Sequence, residues 1–99
     1  MVSRVNFLET TPERMDDVAR VVREIVHPGI SEEPGYVGYI VLGDRDSGRA
    51  LGVTLWTSAE EREASDAKAR QIRPRVEEGT GGTMRAVERY EVLFFDVPS

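Results

Sequence analysis

The feature that most constrains the fold of this chain is the order in which the spacing of its apolar residues changes. Residues 3–9 alternate, with Val5 and Phe7 on one side and Arg4, Asn6 and Leu8 on the other, as in a strand with one buried face. Helical spacing follows, then two β-type runs separated by a polar turn, then helical spacing again and a final β-type run. The sequence therefore predicts the order β-α-β-β-α-β.

Turn and capping residues predict where these elements begin and end. The first helix is expected to begin at Thr11-Pro12 and to stop at His27-Pro28-Gly29, because proline suits the first helical turn and interrupts later ones. The second helix is expected to begin at Ser58, which can form a capping box with Glu61, and Pro74 should kink or end it. The remaining strands are predicted at residues 36–42, 51–56 and 84–97, the last of them bulged or bent, with an exit loop at 79–82.

This order is typical of an α+β ferredoxin-like fold, in which two helices cover one face of a four-stranded antiparallel sheet. A length of 99 residues fits one domain, residues 1–99. Two helices leave the second face of the sheet open. Residues 92–95 of the last predicted strand are nevertheless all apolar, so apolar side chains would point to both faces of the sheet. Residues 36–42 are apolar on both parities too, with Val37, Tyr39 and Val41 opposite Tyr36, Ile40 and Leu42.

An apolar second face needs a cover, and the simplest cover is another copy of the chain across a twofold axis. We therefore expect a homodimer joined sheet to sheet. Curling of the sheet or a folded loop is the alternative way to hide that face.

Charge and composition exclude several classes of partner. A formal net charge of −5 opposes binding to nucleic acid. The chain has no cysteine and a single histidine, His27, which are too few ligands for a typical metal site. No apolar run approaches the roughly 20 residues that span a bilayer, and polar residues interrupt the N-terminus. We expect a cytoplasmic protein that binds neither metal nor membrane.

Two segments carry a family resemblance. One runs from His27-Pro28-Gly29 to Pro34-Gly35-Tyr36-Val37-Gly38-Tyr39, and the other is the end of the hairpin, residues 50–58. The Pro-Gly-aromatic start of the second strand and the Trp-x-Ser step into the second helix resemble the antibiotic-biosynthesis-monooxygenase-like branch of the dimeric α+β barrel superfamily. The resemblance implies a dimeric α+β barrel that binds an aromatic or polycyclic small molecule between helices and sheet. Some members oxygenate quinol-like substrates without metal or flavin, and others degrade haem.

The resemblance singles out Asn6 and Trp56. Asn6 resembles the strand-one asparagine that several oxygenases of the family use, and its amide could stabilise charge that develops on a substrate oxygen. Trp56 resembles the tryptophan that ends strand three, where an indole could stack on a planar ligand. The alternatives are a polar strand residue for Asn6 and core packing for Trp56.

Three further residues could contact a ligand. Tyr39 and Tyr90 could donate phenolic hydrogen bonds, although tyrosine is also an ordinary strand residue. His27 could act as a base at the mouth of a pocket, although capping and the helix dipole explain a histidine at a helix C-terminus equally well.

The second helix bears on cofactor and function. Haem-degrading members use a tryptophan and a histidine there, whereas this chain has Ala64 and Pro74 near those places, so haem degradation is disfavoured and no cofactor is expected. A thin stripe of Ala64, Ala67, Ile72 and Val76 predicts a cavity under this helix, with Asn6 facing it and Trp56 near its wall. The family resemblance implies a cofactor-independent monooxygenase acting on an aromatic small molecule. Because the sequence shows no strong catalytic cluster, a non-catalytic ligand-binding or structural homodimer is the alternative.

Overall fold

A computed structural model describes residues 1–98 and confirms the α+β ferredoxin-like fold. The four strands form one antiparallel sheet in the order β2-β3-β1-β4, and the helices cover one face. A short 3₁₀ turn, Pro12–Arg14, precedes the first helix. The elements are β1 (Val2–Glu9), α1 (Met15–Val21), α2 (His27–Ile30), β2 (Tyr36–Asp44), β3 (Arg49–Trp56), α3 (Ala59–Ala64), α4 (Asp66–Thr80) and β4 (Thr83–Glu91).

The strand register decides which side chains face the helices. The predicted alternation of β1 is confirmed, since Leu8 packs with Met15 and Val18 of α1, and Arg4 and Asn6 share its parity. Residues opposite one another then form three rows across the helix-facing side of the sheet. Row one is Tyr39, Thr54, Arg4 and Arg89; row two is Val41, Gly52, Asn6 and Val87; row three is Gly43, Ala50, Leu8 and Met84.

A bulge in β2 corrects the expected alternation of that strand. The register with β3 shifts between Tyr36 and Gly38, so Val37 is an extra residue. Tyr36 consequently lies on the same side as Tyr39, with its ring edge-on to Trp56 at a centroid distance of 5.9 Å. The expectation that Tyr36 and Tyr39 occupy opposite faces is wrong for this reason.

The first helix does not stop at His27-Pro28-Gly29. A π-helical turn, Val22–Val26, joins α1 to α2, and the helix ends at Ile30, with Ser31 as its C-cap, whose N–H donates to the His27 carbonyl at 3.0 Å. Proline lacks an N–H, and a wider turn before it accommodates the missing hydrogen bond. Pro28 is therefore tolerated inside the helix.

The second helix begins as predicted but breaks elsewhere. Ser58 caps α3 by accepting a hydrogen bond from the Glu61 N–H at 3.2 Å. The break lies at Ser65, whereas α4 continues through Pro74. The 15-residue α4 ends at Thr80, so the exit loop begins two residues after the predicted start at residue 79. Gly81 caps the end of the helix in the left-handed conformation, at a φ of +67°. No helix among residues 1–98 is long and apolar enough to cross a membrane.

The apolar stripe of this helix is thinner than the sequence suggested. Ala64 and Ala67 are exposed, whereas Ile72 is buried and Val76 is half-buried against the core. Ala69 is the small residue that faces the sheet. A small side chain of α4 does lie over the sheet as expected, but it belongs to Ala69 and not to Ala67.

The last strand ends earlier than predicted. β4 stops at Glu91, and only the Val92 N–H continues towards β1, donating to the Met1 carbonyl at 3.0 Å. The expected bulge is confirmed, because Phe7 pairs with Ala86 and Leu8 with Met84. Residues 93–95 are exposed and lie outside the strand, so their parity says nothing about a second sheet face.

The second face of the sheet is nevertheless apolar. Ile40 and Leu42 of β2 are half-exposed on it, with exposed fractions of 52% and 51%. The register brings further apolar side chains beside them on the same face: Phe7 and Val5 of β1, and Leu51 and Val53 of β3. The helices leave this surface uncovered.

Candidate functional site

A cavity of about 320 Å³ lies between the helix-facing rows of the sheet and the helices. Its volume is at the lower end of the range for small-molecule sites. Val18 and Val22 of the first helix and Ala69 and Ile72 of α4 form its roof. The predicted cavity is present because small side chains stand on both sides of it: Ala69 above and Gly52 in the middle row below.

Gly52 also determines where Tyr39 lies. A Cβ atom at Gly52 would meet the Tyr39 ring and hydroxyl at 3.2 Å. The absence of a side chain in β3 thus lets Tyr39 lean from row one across the sheet towards row two. Asn6 is the direct partner of Gly52 in the register, so the Tyr39 ring and Asn6 flank the same position of the cavity floor.

Asn6 and Tyr39 bring unused polar atoms to the cavity. Among residues 1–98, neither the Asn6 amide nor the Tyr39 hydroxyl has a hydrogen-bond partner, and both side chains line the cavity. Burial, with a smaller contribution from the charge of Tyr36, raises the pKa of Tyr39 to about 12. Tyr39 therefore stays protonated at neutral pH and can donate a hydrogen bond, but it is a poor base.

A charged network closes one end of the cavity. Arg4 is 2% exposed, and its Nη2 atom donates to the Arg62 carbonyl at 2.6 Å, to Ser65 Oγ at 2.7 Å and to Asp66 Oδ1 at 2.6 Å. Arg89 donates to the same Asp66 oxygen at 3.2 Å. These bonds tie the start of α4 to the first row of the sheet.

Burial sets the charge states in this network. Burial lowers the pKa of Arg4, although its hydrogen bond to Asp66 opposes the shift, and Arg4 stays charged because arginine begins so high. Burial alone would raise the pKa of Asp66, but the hydrogen bonds and charges of Arg4 and Arg89 outweigh it and lower that pKa. Asp66 is consequently an anion held by two cations.

Trp56 lies beside this network rather than in the cavity wall. Its side chain is fully buried, and its indole N–H donates to Thr54 Oγ1 at 2.8 Å. The Arg4 guanidinium lies 5.5 Å from the ring centroid, in cation–π contact. Trp56 thus supports Arg4 and Thr54, both of which do line the cavity.

His27 and Tyr90 also lie outside the cavity wall. His27 is exposed in the last turn of the first helix, where its carbonyl accepts the capping bond from Ser31, and its ring meets Tyr36 edge-on. Tyr90 is half-exposed on the uncovered face, and its hydroxyl donates to the Glu88 carboxylate. Of the five residues singled out from the sequence, the structure brings together Asn6 and Tyr39.

Sequence reasoning missed Arg4, Asp66 and Arg89. One signal was present, because the alternation of β1 already placed Arg4 on the side of Asn6 and Leu8, and an arginine facing a core demands partners. The identity of those partners was not readable, since Asp66 lies 62 residues away along the chain.

Comparison with known proteins supplies a family for this arrangement. The model of the family described as antibiotic biosynthesis monooxygenase matches residues 1–73, most of the chain. This chain belongs to that family. Two curated relatives of this chain are the uncharacterized proteins Rv2557 and Rv2558 of Mycobacterium tuberculosis, 34% and 33% identical over 90 and 99 residues. These matches cover 91% and 98% of the chain but only 40% and 42% of those proteins, so the chain spans less than half their length.

Solved structures of low identity share the fold of this chain. The ActVA-Orf6 monooxygenase of Streptomyces coelicolor, in complex with nanaomycin D, superposes with a TM-score of 0.71 at 17% identity, covering 99% of this chain and 91% of that one. MhuD of Mycobacterium tuberculosis, a haem degrader with two haems bound, gives 0.69 at 21% identity, covering 99% and 100%. SnoaB of Streptomyces nogalater, a cofactor-independent oxygenase, gives 0.66 at 18% identity, covering 95% and 94%.

Proposed function

We propose that the cavity binds an aromatic small molecule and that the chain is a monooxygenase that uses no cofactor. The observation that carries this proposal is the pair of unpartnered donors, the Asn6 amide and the Tyr39 hydroxyl, on the wall of a mainly apolar cavity. Such a site suits a flat apolar molecule with one or two oxygen substituents. The family description and the oxygenases among the structural neighbours support the reaction class.

The chemistry can be written for a ring methylene that is conjugated through two aryl rings to a ketone on the opposite side of the same ring, as in anthrone. Oxygen accepts four electrons from the substrate: one oxygen atom becomes the new carbonyl oxygen and the other leaves as water with the two methylene hydrogens. Loss of the first proton places negative charge on the ketone oxygen. A donor aimed at that oxygen stabilises the charge as it develops, and this is the role proposed for Asn6, with Tyr39 as a second donor.

Asn6→Ala is expected to lower kcat/KM for oxygen consumption with anthrone about 100-fold, the typical effect of losing one donor to a developing oxyanion. An oxygen electrode measures the rate, corrected for the spontaneous reaction. The matched control is Gln71→Ala, which removes an exposed amide from α4 and should leave the rate unchanged. Equal rates for the wild type and Asn6→Ala would contradict the role of the amide.

A second function has its own observation in favour. No side chain that lines the cavity, among residues 1–98, is a base poised near neutral pH, because the pKa of Tyr39 is raised and that of Asp66 is lowered. A protein that binds the same ligand without transforming it needs no such base. Tight binding of anthrone with no oxygen uptake above the spontaneous rate would favour this ligand-binding function.

Haem does not fit the donor set of the cavity. Axial ligands to haem are histidine, cysteine, methionine or tyrosinate, and the only histidine, His27, lies outside the cavity wall. Met84 lines the cavity, but a methionine ligand accompanies a histidine on the opposite side of the iron, and the wall provides none. Tyr39 lines the cavity, but its raised pKa opposes the anionic form that would bind iron. No group of three His, Cys, Asp or Glu side chains within the described chain could hold another metal. We therefore propose no haem chemistry for this chain.

We also propose that two copies of the chain pair through the uncovered face of the sheet. Ile40 and Leu42 of the edge strand β2 lie half-exposed on this face in one copy, and Leu93 and Phe94 beyond β4 are 89% and 87% exposed. Exposed apolar side chains grouped on one surface favour association with a partner. A twofold axis would place each β2 surface and each segment after β4 against the other copy.

A further inference from the structure

We propose that the ligand of this cavity carries an anionic group, a carboxylate or a sulfonate, which binds at the arginine-lined end while the ring system fills the apolar end. This inference rests on the proposal that the cavity is a ligand site, but it does not depend on whether the ligand is oxygenated. It assigns Arg89 as the residue that selects for the anion.

The charge of the cavity wall is opposite to that of the chain. The whole chain carries a formal net charge of −5. The wall, in contrast, contains four arginines and one aspartate, a net charge of +3: Arg4, Arg70, Arg73, Arg89 and Asp66. A concentration of positive charge in a cleft with apolar walls raises the local concentration of anions.

Two of the four arginines, Arg4 and Arg89, lie at one end of the cavity. Arg4 and Arg89 belong to row one of the sheet, whereas row three contributes Ala50, Leu8 and Met84. Helix α4 runs above the sheet from row one towards row three. It starts beside Arg4 and ends beside the last residues of β1, where Thr10 Oγ1 donates to the Thr80 carbonyl at 2.8 Å. Asn6, in row two, stands between the two ends.

Of the two arginines in row one, Arg89 is the one with capacity to bind a ligand. The Nη2 atom of Arg4 already donates to three oxygens, and its residue is almost wholly buried. Arg89 is 42% exposed, and its one polar contact within residues 1–98 is the 3.2 Å bond to Asp66. Because Arg4 already neutralises Asp66, the charge of Arg89 is in surplus, and its remaining N–H groups can pair with a carboxylate or sulfonate.

An unpaired donor within this end supports the same conclusion. The Nε atom of Arg4 is buried and has no hydrogen-bond partner in the described chain, although the residue lines the cavity. Buried donors without partners are rare in folded proteins because each costs free energy. Arg4 therefore brings to this end of the cavity a donor that the described protein does not satisfy.

A matched pair of fluorescent probes tests the inference. Anilinonaphthalene sulfonate and phenylnaphthylamine have the same two ring systems, and only the first carries an anionic group. The enhancement of their emission gives a dissociation constant for each. Arg89→Gln should weaken sulfonate binding about tenfold or more, the effect of a charged hydrogen bond, while neutral binding stays within about twofold. Arg89→Lys keeps the charge and should retain most of the sulfonate affinity.

Control variants separate the cavity from the rest of the surface. Arg85→Gln removes an arginine of the same strand that does not line the cavity, and it should change neither affinity. Ala69→Phe fills the cavity and should abolish binding of both probes, whereas Ala67→Phe, on the exposed side of α4, should not.

The two proposals fail in distinguishable ways. If Arg89→Gln weakens both probes equally or neither, while Ala69→Phe abolishes both, the cavity is a ligand site but the preference for an anion is wrong. If neither probe binds, or both bind Ala69→Phe unchanged, the cavity is not the ligand site and both proposals fall.

Discussion

Replacement of Arg4 by methionine is expected to lower the free energy of unfolding by about 3 kcal/mol, the lower end of the range for breaking a buried ion pair. Methionine keeps much of the volume but removes the cation paired with Asp66 and the buried donor to Ser65 Oγ. The Arg62 carbonyl also loses Arg4 but keeps the Ser65 hydroxyl as a donor at 2.6 Å. Asp66 is 19% exposed and retains Arg89, and we therefore expect the lower end of the range. Urea unfolding followed by circular dichroism measures the change.

The matched control is Arg85→Met on β4. Arg85 is exposed and pairs with Glu9 at 3.4 Å, so its replacement should change the free energy of unfolding by less than about 0.5 kcal/mol. A loss below about 1 kcal/mol for Arg4→Met would contradict the view that this network holds α4 to the sheet.

The effect of Arg4→Met should also depend on pH. Because the pKa of Asp66 is lowered in the folded state, its contribution to stability is fully present above its ordinary pKa and is lost as the pH falls through the folded value. The difference between wild type and Arg4→Met should thus shrink below about pH 4. Urea unfolding at successively lower pH measures the trend.

Leu42→Asp is expected to convert a dimer into monomers, with the dissociation constant raised roughly a thousandfold or more. Leu42 lies half-exposed on the uncovered face of the sheet, where a partner would bury it. A twofold interface contains the substitution twice, so two unpaired charges would be buried at once. Light scattering at micromolar concentration gives the mass of each species.

Ala67→Asp introduces the same charge on the exposed side of α4 and should leave the dimer intact. A monomer mass for the wild-type protein would contradict pairing through this face. The result would leave the cavity unaffected, because all of its described lining residues come from one copy.

The order of elements and the two sides of β1 could be predicted because both depend on local spacing. Alternation over residues 3–9 placed Arg4, Asn6 and Leu8 on the same side of the strand, and the structure confirms it. The ends of the helices could not be predicted from proline alone. Pro28 follows a π-helical turn and Pro74 lies on the exposed side of α4, and both are tolerated where the rule predicts a break.

The candidate site was predictable only in part. The family resemblance pointed to Asn6, and the cavity followed from small residues on the second helix. The side on which Tyr36 lies depended on a single extra residue, Val37, which no local pattern distinguishes from regular strand. The Arg4–Asp66–Arg89 network joins residues far apart in sequence and emerges only once the sheet and α4 are in place.

The apolar segment after β4 shows a further limit of periodicity. Residues 92–95 are β-type in composition and predicted a longer strand, yet the sheet ends at Glu91. The apolar composition of a segment predicts that it will be buried, but it does not predict whether its own chain or another copy will bury it. In the single chain Leu93 and Phe94 are almost fully exposed, so their own chain does not bury them.

The central claim, that the Asn6 amide acts on a ligand in the cavity, is tested most directly by one variant measured in two ways. For Asn6→Ala, calorimetry should show affinity for naphthol reduced about tenfold, while the melting temperature changes by less than about 4 °C. These values are expected because the amide has no partner within the described protein and so contributes little to the fold. A drop in melting temperature well beyond that limit, with unchanged affinity, would contradict the claim and assign Asn6 to the structure of a non-catalytic dimer.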